Sequence, residues 1–455
     1  MIRLTLSLLS QRLKARLIGS DREIRNVCSD SRTIPEKTLF VALKGEKFDG
    51  HDFAPLALEN GAQALLVSRE LALDIPQLLV HDTQKAMGEI GAYLKELVQP
   101  KSVALTGSNG KTSVKEMVAS ILSQQHKVLY TAGNFNNEIG VPLTLLRLEG
   151  DEEFGVFELG ANHAGEIDYT SSLVKPDVAM VNNVASAHLE GFGSLDGVAR
   201  AKSEIFNHLN ADGIAVINAD DPFASVMREA ASQFTQLSFG IDTQADVKAS
   251  ELESDLLGRY TFQLAYLGSV VTVSLPLSGR HQVSNALAAT AICLALGLSL
   301  EEILTGLALI KPVKGRMLPH DLGRVRIIDD SYNANPASVG VAIDWLKEID
   351  GFRCLVLGDL GELGDNASLL HSELGEYAKK QGIDALFSLG ELSANTSHAF
   401  GGQHQQELAP LVLCLINKIN QLQGDVTVLV KGSRSAGMER VVEALKVAHG
   451  QGEFV

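Results

Sequence analysis

The chain has 455 residues, 45% of them hydrophobic and 21% charged, with a formal net charge of −16 at pH 7. That length accommodates about two to four domains, each with its own core. So acidic a chain is a poor non-specific partner for nucleic acid or an anionic membrane, although a local basic pocket is still compatible with it.

The first segment, "MIRLTLSLLSQRLKARLIG", is interrupted by Ser, Gln, Arg and Lys and lacks the unbroken apolar stretch of a secretory signal. Short strand-like pieces follow, "TLFVAL" (38–43) and "AQALLVS" (62–68). From "SVALTG" (102–107) onward, apolar strand runs such as "FGVFELG", "DVAMVNNV" and "GIAVINAD" alternate with helical periodicity, which predicts a parallel α/β sheet. "LGSVVTVSLPLSG" (267–279) predicts further β structure and a helix from about Gln282. The apolar run 286–300 is too short to span a bilayer and reads as a buried helix. At "LIKPVKGRM" (309–317) a helical pattern ends in Pro312 and Gly315, and a second α/β series begins: "VRIIDDS", "CLVLGDLGELG", "DALFSLG", "VTVLVKGSRS". Each run ends in the polar or glycine-rich turn found at the carboxyl end of a parallel strand, where such sheets bind ligands.

The expected fold class is therefore α/β with three domains: a small N-terminal α/β domain (1–83), a central P-loop parallel-sheet domain (84–313) and a C-terminal Rossmann-like domain (314–455). The four cysteines (Cys28, Cys293, Cys354, Cys414) are far apart and form no C-x-x-C pair. This argues against a zinc ribbon or a disulfide framework and predicts a cytoplasmic protein.

The chemistry centres on "VALTGSNGKTSVKEM" (103–117), a phosphate-binding loop whose usual first glycine is replaced by Leu105. A strand enters the loop, and Val114, Met117, Val118, Ile121 and Leu122 then fall on one helical face. Gly107 and Gly110 let the backbone curl so that N–H groups, including those of Ser108 and Asn109, point at an anion beside a helix start. Lys111 would reach the β- and γ-phosphates, and Thr112 or Ser113 would hold Mg²⁺. A glycine turn that merely precedes Lys-Thr is the bland alternative, and the agreement of strand, glycines and amphipathic helix argues against it.

Three neighbours are candidates for the same site. Glu158, near the end of an apolar strand, stands where a P-loop domain places a Mg²⁺ ligand; a solvent-facing strand-end acid is the alternative. His188 lies in the turn after another strand, as a ligand or as a packing residue. Lys202, in "ARAKSEIF", is expected at a helix start. As an ammonium about 4 Å from Mg²⁺ it would be opposed by roughly 8 kcal/mol at an effective dielectric near 20, so by itself it reads as a surface lysine.

Together "TGSNGKTS", "TAGNFNNEIGVPLTLL", "FELGANHAGEI", "NNVASAHLEGFGS", "AKSEIF", "GRHQVSNALAA" and "DDSYNANPAS" resemble the Mur ligases, cytoplasmic enzymes that build the peptidoglycan stem peptide, over nearly the whole chain. The family's P-loop is of this shortened kind. "SDSRTIPEKTLFVALKGEKFDGHDF" (29–53) is similar to the N-terminal domain of the third- and fourth-step members, and the D-N-P-R motif of the diaminopimelate-adding step is absent. "ELGANHAGEI" and "DDSYNANPAS" are similar to the fourth-step branch.

The resemblance implies an ATP-dependent, ADP-forming ligase that joins D-alanyl-D-alanine to UDP-N-acetylmuramoyl-tripeptide through an acyl phosphate and a tetrahedral intermediate. It implies two Mg²⁺ ions held by Thr112 or Ser113, Glu158, His188 and a Lys202 carbamylated by CO₂. By the same comparison His281 and Asn285 face adenine, and Arg316 and Asp330 close over phosphate and ribose. Asn136 and Asn137 border the UDP-substrate channel, and Ser31 and Arg32 meet the uridine diphosphate end. Lys431, Ser433 or Arg434 would hold the dipeptide carboxylate, unless "VKGSRSAGME" is an ordinary basic loop. No nucleic acid and no membrane insertion are expected, and the chain is expected to act as a monomer. The rival readings are another amino-acid-adding ligase on this fold, such as a diaminopimelate- or lysine-adding enzyme or a folylpolyglutamate synthase, and, from a different class, a P-loop motor ATPase.

Overall fold

The computed structural model describes residues 2–45, 47–185, 189–452 and 454, without the side chains of 189 and 190. Three large sheets follow one another along the chain. The first has five strands in the order Arg16–Ile18, Gln77–Leu79, Ala64–Val67, Thr38–Val41 and Asn26–Cys28. The strands Thr38–Val41 and Ala64–Val67 are buried at every position, as parallel strands covered on both faces must be. The helix Thr83–Val98 links this sheet to the next; Asp82 caps it by accepting the N–H groups of Gln84 and Lys85.

The second sheet has nine strands. Val247–Ser254, Thr235–Gly240, Ile214–Asn218, Val178–Val181, Lys101–Thr106, Phe154–Glu158 and Val128–Tyr130 run parallel, and Arg259–Tyr266 and Ser269–Ser278 continue it antiparallel. Lys101–Thr106 is flanked by Val178–Val181 and Phe154–Glu158. Its register places Leu105 beside Glu158 and Thr106 beside Val181, so three strand ends and their loops emerge along one edge.

The helix Lys111–Leu122 packs Val114, Met117, Val118, Ile121 and Leu122 into the core together with the helix Arg280–Ala295, which is buried continuously from Ala286 to Cys293. The expected helix face is present, and the expected buried helix is too, although it ends at Ala295 and a separate helix begins at Leu300. A further helix, Leu300–Ala308, approaches the first so closely at Gly306 that a Cβ there would lie 2.3 Å from Ile121 Cα.

The third sheet has six strands in the order Leu318–Leu322, Val325–Asp330, Val426–Lys431, Phe352–Gly358, Ala385–Leu389 and Gln403–Gln405, all parallel except the first. Asp330 and Lys431 end adjacent strands in register, with both ends turned toward the phosphate loop. Among the described residues no helix is long and apolar enough to cross a membrane.

Strand Leu318–Leu322 gave no pattern signal because its residue types do not follow its alternating exposure; it forms the sheet edge, where Pro319 is tolerated. Lys202 does not start a helix. Ser194 caps the segment by accepting the Gly197 N–H, so the helix runs Leu195–Ser203 and Lys202 lies in its last turn.

Two glycine substitutions test this packing. Gly306→Val should lower the urea midpoint, costing about 1–3 kcal/mol through overpacking against Ile121. Gly340→Ala, in the helix Pro336–Lys347 with nothing within 4 Å of the new Cβ, should be neutral or stabilise by about 0.5–1 kcal/mol. Equal effects at both positions would contradict the close helix approach.

Candidate active site

The phosphate loop leaves strand Lys101–Thr106 and turns through Gly110 at φ +79 into the helix Lys111–Leu122, which has no side-chain cap. An uncapped helix start exposes N–H groups and partial positive charge, which favours an anion. Gly110 is required here: a Cβ would lie 2.4 Å from Asn182 Nδ2 and 2.5 Å from Asn285 Oδ1. The loop is clamped from below. Ser108 and Asn109 do not turn their N–H groups to an anion as expected; they donate them to the carbonyl and side chain of Asn183 at 2.9 and 2.8 Å. Asn182 Nδ2 donates to Asn109 O at 2.9 Å and to Asn285 Oδ1 at 3.1 Å.

Thr112 is the meeting point. Its hydroxyl donates to Glu158 Oε2 at 2.9 Å and accepts from an Arg316 guanidinium nitrogen at 2.8 Å. Glu158 ends its strand at 2% exposure, which removes the solvent-facing alternative. It is oriented further by Asn136, whose amide donates to Oε1 at 2.8 Å, and by its own N–H on Thr131 Oγ1 at 3.0 Å. Two hard oxygens 2.9 Å apart at the end of a buried strand suit a small divalent cation such as Mg²⁺.

Lys111 lies over the loop and donates to Gly107 O at 2.6 Å. Burial pushes its pKa down; Glu158 opposes that shift and Arg316 adds to it. Lys202 is 2% exposed, and burial and then the nearby Lys111 charge hold its pKa well below the ordinary lysine value. It is not the surface lysine that its local sequence suggests. Among the described residues it meets no carboxylate, only the Phe192 ring 5.9 Å away.

A cleft of about 1080 Å³ joins these groups to the third sheet. Ser108–Ser113, Asn136, Asn137, Glu158, His281, Asn285, Arg316, Asp330, Lys431, Ser433 and Arg434 line it. Lys431 Nζ pairs with Asp330 Oδ2 at 2.5 Å, so two residues expected at different ligands are directly coupled. Ser433 donates to Asp359 O at 2.7 Å, Arg434 is exposed beside Glu439, and Asn137 Oδ1 accepts the Gly140 N–H at 2.9 Å. Ser31 and Arg32 do not line this cleft: the Ser31 carbonyl accepts from Asn60, and Arg32 makes a two-pronged pair with Asp30. His188 lies outside the described residues.

Several residues escaped the sequence reading. Asn182 and Asn183 had a signal, the paired amides ending "AMVNNV" beside the loop strand. Asn335 joins them, capping the helix Pro336–Lys347 while its Nδ2 donates to Asn109 Oδ1 at 2.9 Å across the two sheets.

Three family models cover most of the chain: "Mur ligase family, catalytic domain" matches residues 23–104, "Mur ligase middle domain" residues 105–293, and "Mur ligase, glutamate ligase domain" residues 315–434. The chain is 48% identical to the UDP-N-acetylmuramoyl-tripeptide--D-alanyl-D-alanine ligase of Escherichia coli (strain K12), over 98% of this chain and 99% of that protein. Its fold is similar to that of MurF from Acinetobacter baumannii, with TM-score 0.94, 40% identity and coverage of 98% and 99% of the two chains. It is also similar to MurF ligase from Thermotoga maritima in complex with ADP, with TM-score 0.85, 30% identity and coverage of 94% and 98%.

His281 carries a pH signature. Burial, reinforced by Lys431 and opposed by Asp330, pushes its pKa down to about 4, and its Nδ1 has no hydrogen-bond partner among the described residues. The unfolded chain takes up this proton near pH 6.5, the folded chain only near pH 4, so stability is complete above 6.5 and falls as the pH drops toward 4. The loss attributable to this group is at most about 3 kcal/mol. His281→Gln should flatten the unfolding free energy across that window; an unchanged pH profile would contradict the assignment.

Proposed function

This chain belongs to the Mur ligase family, and from that premise and the cleft geometry we infer that it joins D-alanyl-D-alanine to UDP-N-acetylmuramoyl-tripeptide, converting ATP to ADP and phosphate. The observation that carries the reading is the convergence of phosphate loop, buried carboxylate and the Arg316 guanidinium, from the turn before the third sheet, on one hydroxyl, Thr112 Oγ1, in a chain that aligns end to end with ligases of that name.

The terminal carboxylate of the tripeptide takes the γ-phosphoryl group, giving an acyl phosphate and ADP. The amine of D-alanyl-D-alanine then attacks the acyl carbon, and the tetrahedral intermediate loses phosphate and a proton to leave the amide. Two anions must approach in the first step, so placement and charge compensation carry most of the barrier reduction. Lys111, Arg316 and the uncapped helix start supply positive charge where the phosphates lie. Thr112 or Ser113, Glu158 and His188 would hold Mg²⁺, which neutralises phosphate charge when bound. We assign UDP-sugar binding to residues 1–83 with Ser31, Arg32, Asn136 and Asn137, and the ATP chemistry to residues 84–313. Residues 314–455 would close over the nucleotide with Arg316 and Asp330 and receive the dipeptide at Lys431, Ser433 or Arg434. His281 and Asn285 would face adenine. We take the single chain as the working unit.

Lys202 is assigned as a carbamate. Its amine would add to CO₂ with loss of a proton, turning a buried cation into an anionic oxygen ligand. Its burial, its low basicity and the lack of a carboxylate partner among the described residues support that assignment.

Phosphate release from MgATP should require both UDP-N-acetylmuramoyl-tripeptide and D-alanyl-D-alanine and should yield a pentapeptide product by mass. Release that ignores both substrates, or that responds to folates instead, would overturn the proposed substrates. Lys202→Ala should lower turnover about 100-fold or more, with partial rescue by short carboxylic acids. A near-normal rate in that variant would remove the carbamate.

A further inference from the structure

We propose that Lys115 is a positioning residue that sets the Glu158 carboxylate for the metal, an inference that rests on the nucleotide-site reading above. Lys115 lies one helical turn beyond Thr112 on the same face of the phosphate-loop helix, and its side chain is fully buried. Its Nζ donates to Thr131 O at 2.8 Å, pairs with Glu116 Oε1 at 2.8 Å, and lies 5.8 Å from the Tyr130 ring. Burying an ammonium is costly, and an apolar side chain of similar length would fill the same space without that cost.

The position of Thr131 accounts for the cation. Thr131 is itself fully buried, and its hydroxyl receives the Glu158 N–H at 3.0 Å. It also begins the loop that carries Asn136, whose amide holds the other end of Glu158, at Oε1. Lys115 thus ties the helix bearing Thr112 to the segment that holds Glu158 from both its backbone and its side chain. The hydroxyl and the carboxylate that face each other at 2.9 Å are fixed to one another through this buried link. A residue that only satisfied the Thr131 carbonyl would matter for stability and not for the metal.

The test uses the full chain and the variants Lys115→Met, Lys115→Arg, Thr131→Val and the Met/Val double. Binding of a fluorescent ADP analogue is followed as Mg²⁺ is titrated, alongside urea unfolding. The proposal expects the Mg²⁺ concentration for half-saturation to rise about 10-fold or more in Lys115→Met and in Thr131→Val, the usual consequence of losing an outer support of a metal ligand. Binding of the analogue without Mg²⁺ should be unchanged, Lys115→Arg should recover part of the loss, and the double variant should be no worse than the worse single. A lower unfolding midpoint with unchanged Mg²⁺ dependence would overturn it, as would losses that multiply in the double variant. If Lys115→Met does not fold, Lys115→Arg decides: a raised Mg²⁺ requirement with unchanged binding of the analogue alone supports the proposal, and an unchanged Mg²⁺ dependence overturns it. Wild-type protein that fails to bind the analogue would overturn the nucleotide site itself, an outcome distinct from either of these.

Discussion

The Thr112 hydroxyl has one proton to give and lone pairs to receive, and the site uses both. It donates to Glu158, the last residue of a buried central strand, and accepts from Arg316, which enters from the turn before the third sheet, 204 residues away. The rest of the arrangement depends on this joint. The helix start must remain uncapped so that its N–H groups face the cleft, which requires the Gly110 turn. Asn182 and Asn285 sit so close behind that turn that a Cβ on residue 110 would lie within 2.5 Å of their amide atoms. The parallel register beneath brings the ends of three strands to one level, so loop, carboxylate and asparagine clamp meet without long connections.

The electrostatics follow from the same crowding. The chain is strongly acidic overall, and its cleft is mixed rather than basic: Lys111, Arg316, Lys431 and Arg434 share the lining with Glu138, Glu158, Glu166, Asp330 and Glu362. These cations are kept in check by specific anions or dipoles: Lys431 by Asp330, and Lys111 by the Gly107 carbonyl with Glu158 nearby. Lys202 shares its burial with Lys431 and its lowered basicity with Lys111, and differs from both in having no carboxylate near it among the described residues. A group in that condition is poorly suited to remain an ammonium, which gives the carbamate assignment a physical motive beyond likeness to the family.

What could be read from the sequence was local. The periodicity of Val114 to Leu122 gave the phosphate-loop helix, and Glu158 at the end of an apolar run was placed on the correct strand. Lys202 was placed at the wrong end of its helix because the cap, Ser194, lies in a serine- and glycine-containing stretch that reads as a loop. Strand Leu318–Leu322 escaped because its exposure alternates while its residue types, Leu-Pro-His-Asp-Leu, do not follow that alternation. The contacts that complete the site had the weakest signals. Arg316 to Thr112 and Asn335 to Asn109 cross between sheets, and nothing in either segment alone says that they meet. The resemblance to the Mur ligases supplied Arg316. The paired amides gave Asn183 a signal, whereas nothing assigned a role to Asn335 or Lys115, which act through atoms that only the folded chain brings within 3 Å.

The central claim is that the phosphoryl group at this joint passes to the substrate's carboxylate before the amide forms. UDP-N-acetylmuramoyl-tripeptide labelled with ¹⁸O in its terminal carboxyl group tests it most directly. If the carboxylate is phosphorylated, one labelled oxygen must leave with phosphorus, so the inorganic phosphate released during synthesis will carry a single ¹⁸O. Phosphate free of label, formed alongside the ligated product, would mean that the carboxylate never bonds to phosphorus and would contradict the account.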